Sequence, residues 1–328
     1  MTVALFTLGG TISMAGAEIG TGVVARLAGD DLTRAIPGLE ALDGAIRVHD
    51  AAAVPSASLT AGQVLDVVDA ARRAVADGAL GVVLTQGTDT LEETAWLVDL
   101  VWPCPEPFVL TGAMRNPTVA GADGAANLLG ALRVALSQDA RELGALVVFN
   151  DEIHAARWVR KRHSTNTGAF VSPNAGPVGD IVEDRVRINA RPVRRPVVAA
   201  PDRSRLAGTH VALYTATFDD DGLLLDGVAD THAGLVIAGL GAGHVRESMA
   251  PQLGRIAERM PVVLTSRTGA GEVLRQTYGA IGGEIDLQRR GLITAGILDP
   301  FKARVLLRLL IAGGADREAI AAEFAARG

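Results

Sequence analysis

The sequence predicts a two-domain α/β protein, with a larger amino-terminal domain on a parallel sheet and a smaller carboxy-terminal α/β domain. Three observations carry that expectation. Short β-rich runs alternate with helical patterns through the first part of the chain, the order that parallel strands with crossover helices require. The stretch 190–206, ARPVRRPVVAAPDRSRL, is rich in Pro and Arg and follows neither period, so it reads as an interdomain linker. The alternation then resumes over a shorter length. With 328 residues, 48% of them hydrophobic, there is apolar material for two buried cores. The expected divisions are 1–190, a linker at 191–208, and 209–328.

In the first domain the expected strands are 3–7 (VALFT), 80–84 (LGVVL), 108–111 (FVLT) and 145–149 (ALVVF). Helical patterns lie between them at 61–76 and 91–101. In the second domain, strands at 211–216, 235–238 and 262–265 alternate with helices at 245–259 and 302–312. There is no internal repeat and no low-complexity tail. The glycine-rich segment 14–22 has little apolar content and no period. It reads as a mobile lid, with an ordinary surface connection as the alternative.

Composition excludes several classes. A formal net charge of −6 argues against nucleic acid as the main partner. No apolar run approaches the ~20 residues of a spanning helix. Met1 and Thr2 lead straight into a strand-like run, without the basic and apolar stretches of a signal peptide, so a cytoplasmic protein is expected. The one cysteine, Cys104 in VWPCPEP, can form no intrachain disulfide. It reads as structural, since no His or basic neighbour in sequence lowers its pKa.

Two threonines carry the chemistry. Thr11 lies in TLGGTIS after the first strand, and Thr88, beside Asp89, lies in TQGTDTLEETA after the second. A threonine hydroxyl is a poor nucleophile until a base and an oxyanion site surround it, and glycines let backbone N–H groups approach a small substrate. Two such loops at strand ends point to acyl transfer by hydroxyl attack. Thr90-Leu91-Glu92-Glu93 reads as a capping box, with Thr90 as N-cap and Glu93 at N3. That sets Thr88 and Asp89 before a helix N-terminus, whose donors favour a carboxylate or an oxyanion. Ligands of open parallel sheets collect at the carboxyl ends of strands, where strand order switches. The Thr11 loop, the Thr88-Asp89 loop and the loop 112–117 are therefore expected to converge.

Six histidines (His49, His154, His163, His210, His232 and His244) are scattered without metal-ligand spacing. Lysine is the sharper base, because burial lowers its pKa. Only Lys161 and Lys302 occur, and Lys161 follows the fourth strand in VFNDEIHAARWVRKRHSTN. Taken alone, RWVRKRH also reads as a solvated basic patch.

The chain resembles the bacterial L-asparaginase/glutaminase family, the type I/II amidohydrolases. TLGGTIS is similar to the family signature TGGTIA, and TQGTDTLEETA to HGTDTMEETA. The likeness continues in order through TGAMRNP, ADGAANL, FNDEIHAARWVRKRHSTNTGAF, GLGAGHV and AGILDPFKARVLL, over nearly the whole chain. The resemblance implies an asparaginase-like fold and Thr11 as primary nucleophile. It implies Thr88, Asp89 and Lys161 as a second triad, in which lysine and aspartate polarise a threonine hydroxyl. Ser56 in PSASLT matches the serine that binds the substrate α-carboxylate, and Asp89 the carboxylate that receives its ammonium. Glu284 in GGEIDL matches an acidic residue from a neighbouring subunit. It further implies an amino-acid substrate, no metal or organic cofactor, and homodimers or homotetramers with active sites between subunits.

The pattern departs from the family in places. The lid lacks the usual tyrosine, since the only tyrosines are Tyr214 and Tyr278. Tyr278 reads as a packing residue or as a substitute phenol delivered across the interface. Gln86 stands where the family has histidine, and Ala57 where many members have glutamine, removing a substrate contact. Ala242 and His244 replace asparagines in GLGAGHV, and His244 is a candidate substrate contact. These changes leave open a specialised relative acting on another β-substituted amino-acid derivative, by hydrolysis or C–N cleavage. A non-enzymatic amino-acid sensor would be expected to lose one of Thr11, Thr88, Asp89 or Lys161, and all four are present. A dinucleotide site is disfavoured because residues 239–243 read GxGxG, and the DDDG at 219–222 reads as a turn rather than a calcium loop.

Overall fold

The structure is a computed structural model that describes residues 1–10 and 36–328, with the backbone of 14–15 and 24–25. Thr11 and most of the expected lid lie outside the described residues. The chain divides into two compact units, Met1–Val197 and Val198–Gly328.

In the first unit β1 (Thr2–Thr7) precedes a small antiparallel pair, β2 (Met14–Ala15) and β3 (Val24–Ala25). Then come β4 (Ala45–Asp50), β5 (Gly81–Thr85), β6 (Phe108–Thr111) and β7 (Ala145–Phe149), followed by β8 (Glu152–Ala155), β9 (Arg160–Lys161) and β10 (Phe170–Val171). The last two are β11 (Gly179–Val182) and β12 (Arg185–Ile188). Eight of these form one sheet, in the order β12-β11-β8-β7-β6-β5-β1-β4. From β4 to β7 every pairing is parallel.

The sheet is not wholly parallel as expected, because β8, β11 and β12 extend it antiparallel. The cause is local. Phe149 pairs with Glu152 across the two residues Asn150 and Asp151, whose φ angles are 51° and 62°. Two successive left-handed residues make a tight primed turn, which Asn and Asp tolerate and which joins only antiparallel strands.

Buried helices flank the parallel part. Leu128, Ala131, Leu132 and Ala135 of the helix Gly124–Leu136, a segment missing from the sequence expectations, pack with Val3, Leu5, Val83, Val109 and Leu146 of the strands. The helix Ala61–Ala76 occupies the range its period predicted and opens on a capping box. There the Gln63 N–H donates to Thr60 Oγ1 (3.2 Å) while the Thr60 N–H donates to Gln63 Oε1 (2.9 Å). The capping box expected at Thr90 does not form. Residues Thr88–Thr90 make a 3₁₀ turn running into the helix Leu91–Val101, and the Thr90 hydroxyl donates to the Ser56 carbonyl (3.0 Å). Thr90 has φ −117° and ψ 14°, not the extended backbone of an N-cap, so its hydroxyl is directed away from the first turn of the helix.

Cys104 also departs from its expected surroundings, since Arg72 and Arg194 act on the thiol electrostatically. Burial, with Glu106 adding to it, outweighs them and raises its pKa.

The second unit carries four parallel strands in sequential order: β13 (Val211–Thr215), β14 (Gly234–Gly239), β15 (Val262–Ser266) and β16 (Ile293–Thr294). Leu253, Ile256 and Ala257 of the helix Ala250–Arg259 pack with Leu235, Ile237, Val262 and Leu264. The expected helix 245–259 thus starts later, after a 3₁₀ turn at Glu247–Met249. The expected linker is shorter too. Asp202 caps a helix at Arg203–Gly208, its carboxylate accepting the Ser204 and Arg205 N–H groups. The DDDG segment is a turn in which Asp220 accepts the N–H groups of Thr217 and Gly222.

Candidate active site

The parallel strands end level with one another. Thr7, Thr85 and Thr111 are register partners across β1, β5 and β6, so the following loops leave the sheet side by side. β1 is also where strand order switches, since β4 lies on one side of it and β5 on the other. The crevice at such a switch is the usual ligand site of an open parallel sheet.

Glycine lets these loops meet. Gly10 has φ 97°, and a Cβ there would lie 2.2 Å from the Gly87 nitrogen. One on Gly87 would lie 2.6 Å from Ser56 Oγ, and one on Gly112 2.5 Å from the Gln86 carbonyl oxygen. Backbone therefore packs on backbone, and the loops after β1, β5 and β6 converge with the Ser56 turn. Side chains from the helix at 124–136 hold the third loop. Asn127 Nδ2 donates to the Gly112 carbonyl (3.0 Å), and the Asp123 carboxylate accepts the N–H groups of Met114 and Arg115. Neither residue is among the sequence-derived candidates, because their partners are backbone groups of a loop eight to fifteen residues earlier, which no side-chain motif marks.

Thr88, Asp89 and Lys161 come together. Lys161 Nζ donates to Thr88 Oγ1 and to Asp89 Oδ1, both at 2.9 Å. Thr88 is buried, whereas the Lys161 and Asp89 side chains are 15% and 67% exposed. The cluster is thus enclosed on the threonine side and open on the aspartate side. Ser56 is buried nearby, and its Oγ accepts the Asp89 N–H (3.3 Å). Ala57 follows, exposed, in the 3₁₀ turn Ser56–Ser58. Gln86 is fully buried, its amide donating to the Gly87 carbonyl (3.2 Å) and so bracing the peptide before Thr88.

Lys161 stands on β9, paired antiparallel with β10. The residue after β10, Ser172, bonds through Oγ to Nδ1 of the fully buried His154 (2.9 Å). Burial takes the pKa of that imidazole down to about 4, so it is neutral near pH 7. Glu92, a buried carboxylate overlooked at the sequence level, accepts the Lys161 N–H (2.9 Å).

The remaining candidates form a second cluster, within the second unit. Glu284 is fully buried, with Oε1 accepting the N–H groups of Thr277 (2.8 Å) and Tyr278 (2.7 Å). Its Oε2 lies 3.2 Å from His244 Nε2, and the Tyr278 ring meets the His244 ring edge-on at 4.8 Å. Burial by itself would raise the Glu284 pKa. The backbone donors of Tyr278 and Thr277, aided by His244, outweigh it and hold the carboxyl below its ordinary value. Among the described residues no group of His, Cys, Asp and Glu is arranged to hold a metal ion, and no helix is long and apolar enough to cross a membrane.

Comparison with known proteins matches both units of the chain. The family model described as asparaginase, N-terminal, matches residues 2–194, and that of the glutaminase/asparaginase C-terminal domain matches 210–324. The chain belongs to the asparaginase family. A probable L-asparaginase of Deinococcus radiodurans is 36% identical over 97% of this chain and 95% of its own length. A glutaminase-asparaginase of Acinetobacter glutaminasificans is 31% identical over 97% of each. The crystal structure of a probable cytoplasmic L-asparaginase from Campylobacter jejuni superposes with a TM-score of 0.85 at 31% identity, covering 99% of both chains. The Campylobacter jejuni structure thus matches this chain across both units.

Proposed function

We propose that this chain is an L-asparaginase-type amidohydrolase, hydrolysing L-asparagine to L-aspartate and ammonia. The observation that carries the proposal is the Lys161 amine held 2.9 Å from both Thr88 Oγ1 and Asp89 Oδ1 at the switch point of the sheet. Thr11, the residue after Gly10 in the sequence, is the nucleophile of this proposal. Its oxygen attacks the side-chain amide carbon, its proton goes to the departing nitrogen, and ammonia leaves. Water then attacks the acyl-threonine, gives one proton back to Thr11 Oγ, and frees the carboxylate product. Lys161 and Asp89 polarise the Thr88 hydroxyl in this proposal, and Thr88 passes protons between Lys161 and the reacting groups. The exposed Asp89 carboxylate is set to receive the substrate ammonium. Because Ser56 Oγ accepts from Asp89, its own O–H remains to donate to the α-carboxylate. The protein works in the cytoplasm, as a homodimer or homotetramer with sites completed by a neighbouring subunit.

A second reading, a specialised relative acting on another β-substituted amino-acid derivative, draws on the second cluster. The Glu284 carboxylate is turned inward onto two N–H groups, and His244 stands over it where the family pattern has asparagine. One assay separates the two. Ammonia and aspartate are measured from L-asparagine beside L-glutamine and D-asparagine, and equally low rates on all three favour the specialised relative. Full ammonia release by either Thr11→Ala or Lys161→Met refutes the mechanism.

A further inference from the structure

The five residues 88–92 grip Lys161 at both ends. Thr88 and Asp89 hold its amine, and the Glu92 carboxylate accepts its main-chain N–H at 2.9 Å. A lysine side chain has four rotatable bonds and loses substantial entropy when confined to one geometry. Anchoring only the amine would leave the base of the side chain free to shift with a strand two residues long. β10 pairs with β9 at Lys161–Phe170 and Arg160–Val171, but a second contact fixes the Lys161 main chain against the helix. The nearby inter-strand bond runs from the Arg162 N–H to the Ala169 carbonyl (2.7 Å), while the Lys161 N–H goes to Glu92. The carboxylate thus does for β9 what a third strand would do.

We infer that Glu92 is a positioning residue: it registers β9 against the helix Leu91–Val101 so that the Lys161 amine stands over the Thr88 hydroxyl. The inference rests on the proposed relay role of Lys161. It also separates two adjacent acidic residues that read alike in the sequence. Glu93 falls at the place of a helix-start residue, whereas Glu92 ties the helix to a strand 69 residues away. A misplacement of about 1 Å at a reacting group costs up to roughly 10²-fold in rate. The carboxylate acts here through its acceptor oxygen, which an amide also provides.

The test compares Glu92→Leu with Glu92→Gln, each alone and in a Lys161→Met background, by ammonia release from L-asparagine. Glu92→Leu is expected to lower kcat by roughly 10²-fold with KM little changed, and Glu92→Gln to restore most of it. In the Lys161→Met background, Glu92→Leu should add no further loss of kcat. An unchanged kcat in Glu92→Leu, equal impairment of Glu92→Gln, or additive losses with Lys161→Met overturns the inference. If Glu92→Leu does not fold, Glu92→Asp, whose carboxylate falls one methylene short, carries the same comparison. A crystal structure of the Leu or Asp variant gives a readout independent of substrate, because an unchanged contact between Lys161 Nζ and Thr88 Oγ1 also overturns it. Full activity of Lys161→Met alone refutes the relay and leaves Glu92 as a structural tie.

Discussion

Acidification should unfold this protein through His154. The imidazole is wholly enclosed, with Nδ1 on Ser172 Oγ and Nε2 facing the Glu152 carboxylate at 3.3 Å. That approach does not satisfy Nε2 as a hydrogen bond. Burial dominates, so the pKa falls from 6.5 to about 4. The unfolded chain therefore takes up a proton that the folded chain refuses. This contribution to stability is complete above pH 6.5 and is lost progressively as the pH drops toward 4. A gap of two to three pKa units corresponds to about 3 kcal/mol in all, of which about 2 kcal/mol is gone by pH 5. The perturbation is His154→Asn, whose side chain can still reach Ser172 but cannot ionise. Urea unfolding is followed between pH 8 and pH 4 at one fixed protein concentration, because any association of subunits shifts apparent stability. The variant starts less stable at pH 8, since the smaller side chain leaves a cavity, but its stability should fall less steeply with acid. Parallel stability curves would refute the assignment of acid sensitivity to this residue. Because Ser172 follows the strand paired with Lys161, activity in the parent should decline with the same midpoint.

Three further outcomes follow from the same geometry. Thr88→Val and Lys161→Met should each stay folded and lose about 10²- to 10⁴-fold in kcat, the usual worth of positioned acid–base groups, as measured by steady-state ammonia release. Gly10→Ala should abolish folding or activity, because the added carbon meets the Gly87 nitrogen at 2.2 Å in a left-handed backbone; soluble yield and thermal melting check it. Asp299→Ala should destabilise by about 3 kcal/mol or more in denaturant unfolding, with Asp299→Asn costing less. The alanine removes the cap of the helix Pro300–Gly313, whose Phe301 and Lys302 N–H groups bond Asp299, and also one partner of the buried Lys302 amine (2.8 Å).

Much of the fold was legible because its signals are local. Runs such as VALFT and ALVVF are strands on their composition, and 61–76 carries its helical period and cap within itself. The antiparallel extension beyond β7 hung on the two-residue turn Asn150-Asp151, a weaker signal than a βαβ period. The Thr90 capping box failed for the opposite reason. The local pattern was sound, but Thr90 lies in a 3₁₀ turn that directs its hydroxyl to the Ser56 carbonyl, 34 residues earlier, instead of to the first turn of the helix.

The candidate site divides the same way. The sequence by itself determined the family, the order of the two units and the residue types of the proposed relay, because those signals are short motifs in order along the chain. Only the tertiary structure decided that Lys161 reaches Thr88 and Asp89 from 73 and 72 residues away, and that Glu92 holds its main chain. It alone showed the Glu284 carboxylate turned inward beneath His244. Whether a carboxylate faces a ligand, a lysine or its own backbone depends on which donors the fold brings within about 3 Å, a distance that sequence separation does not encode.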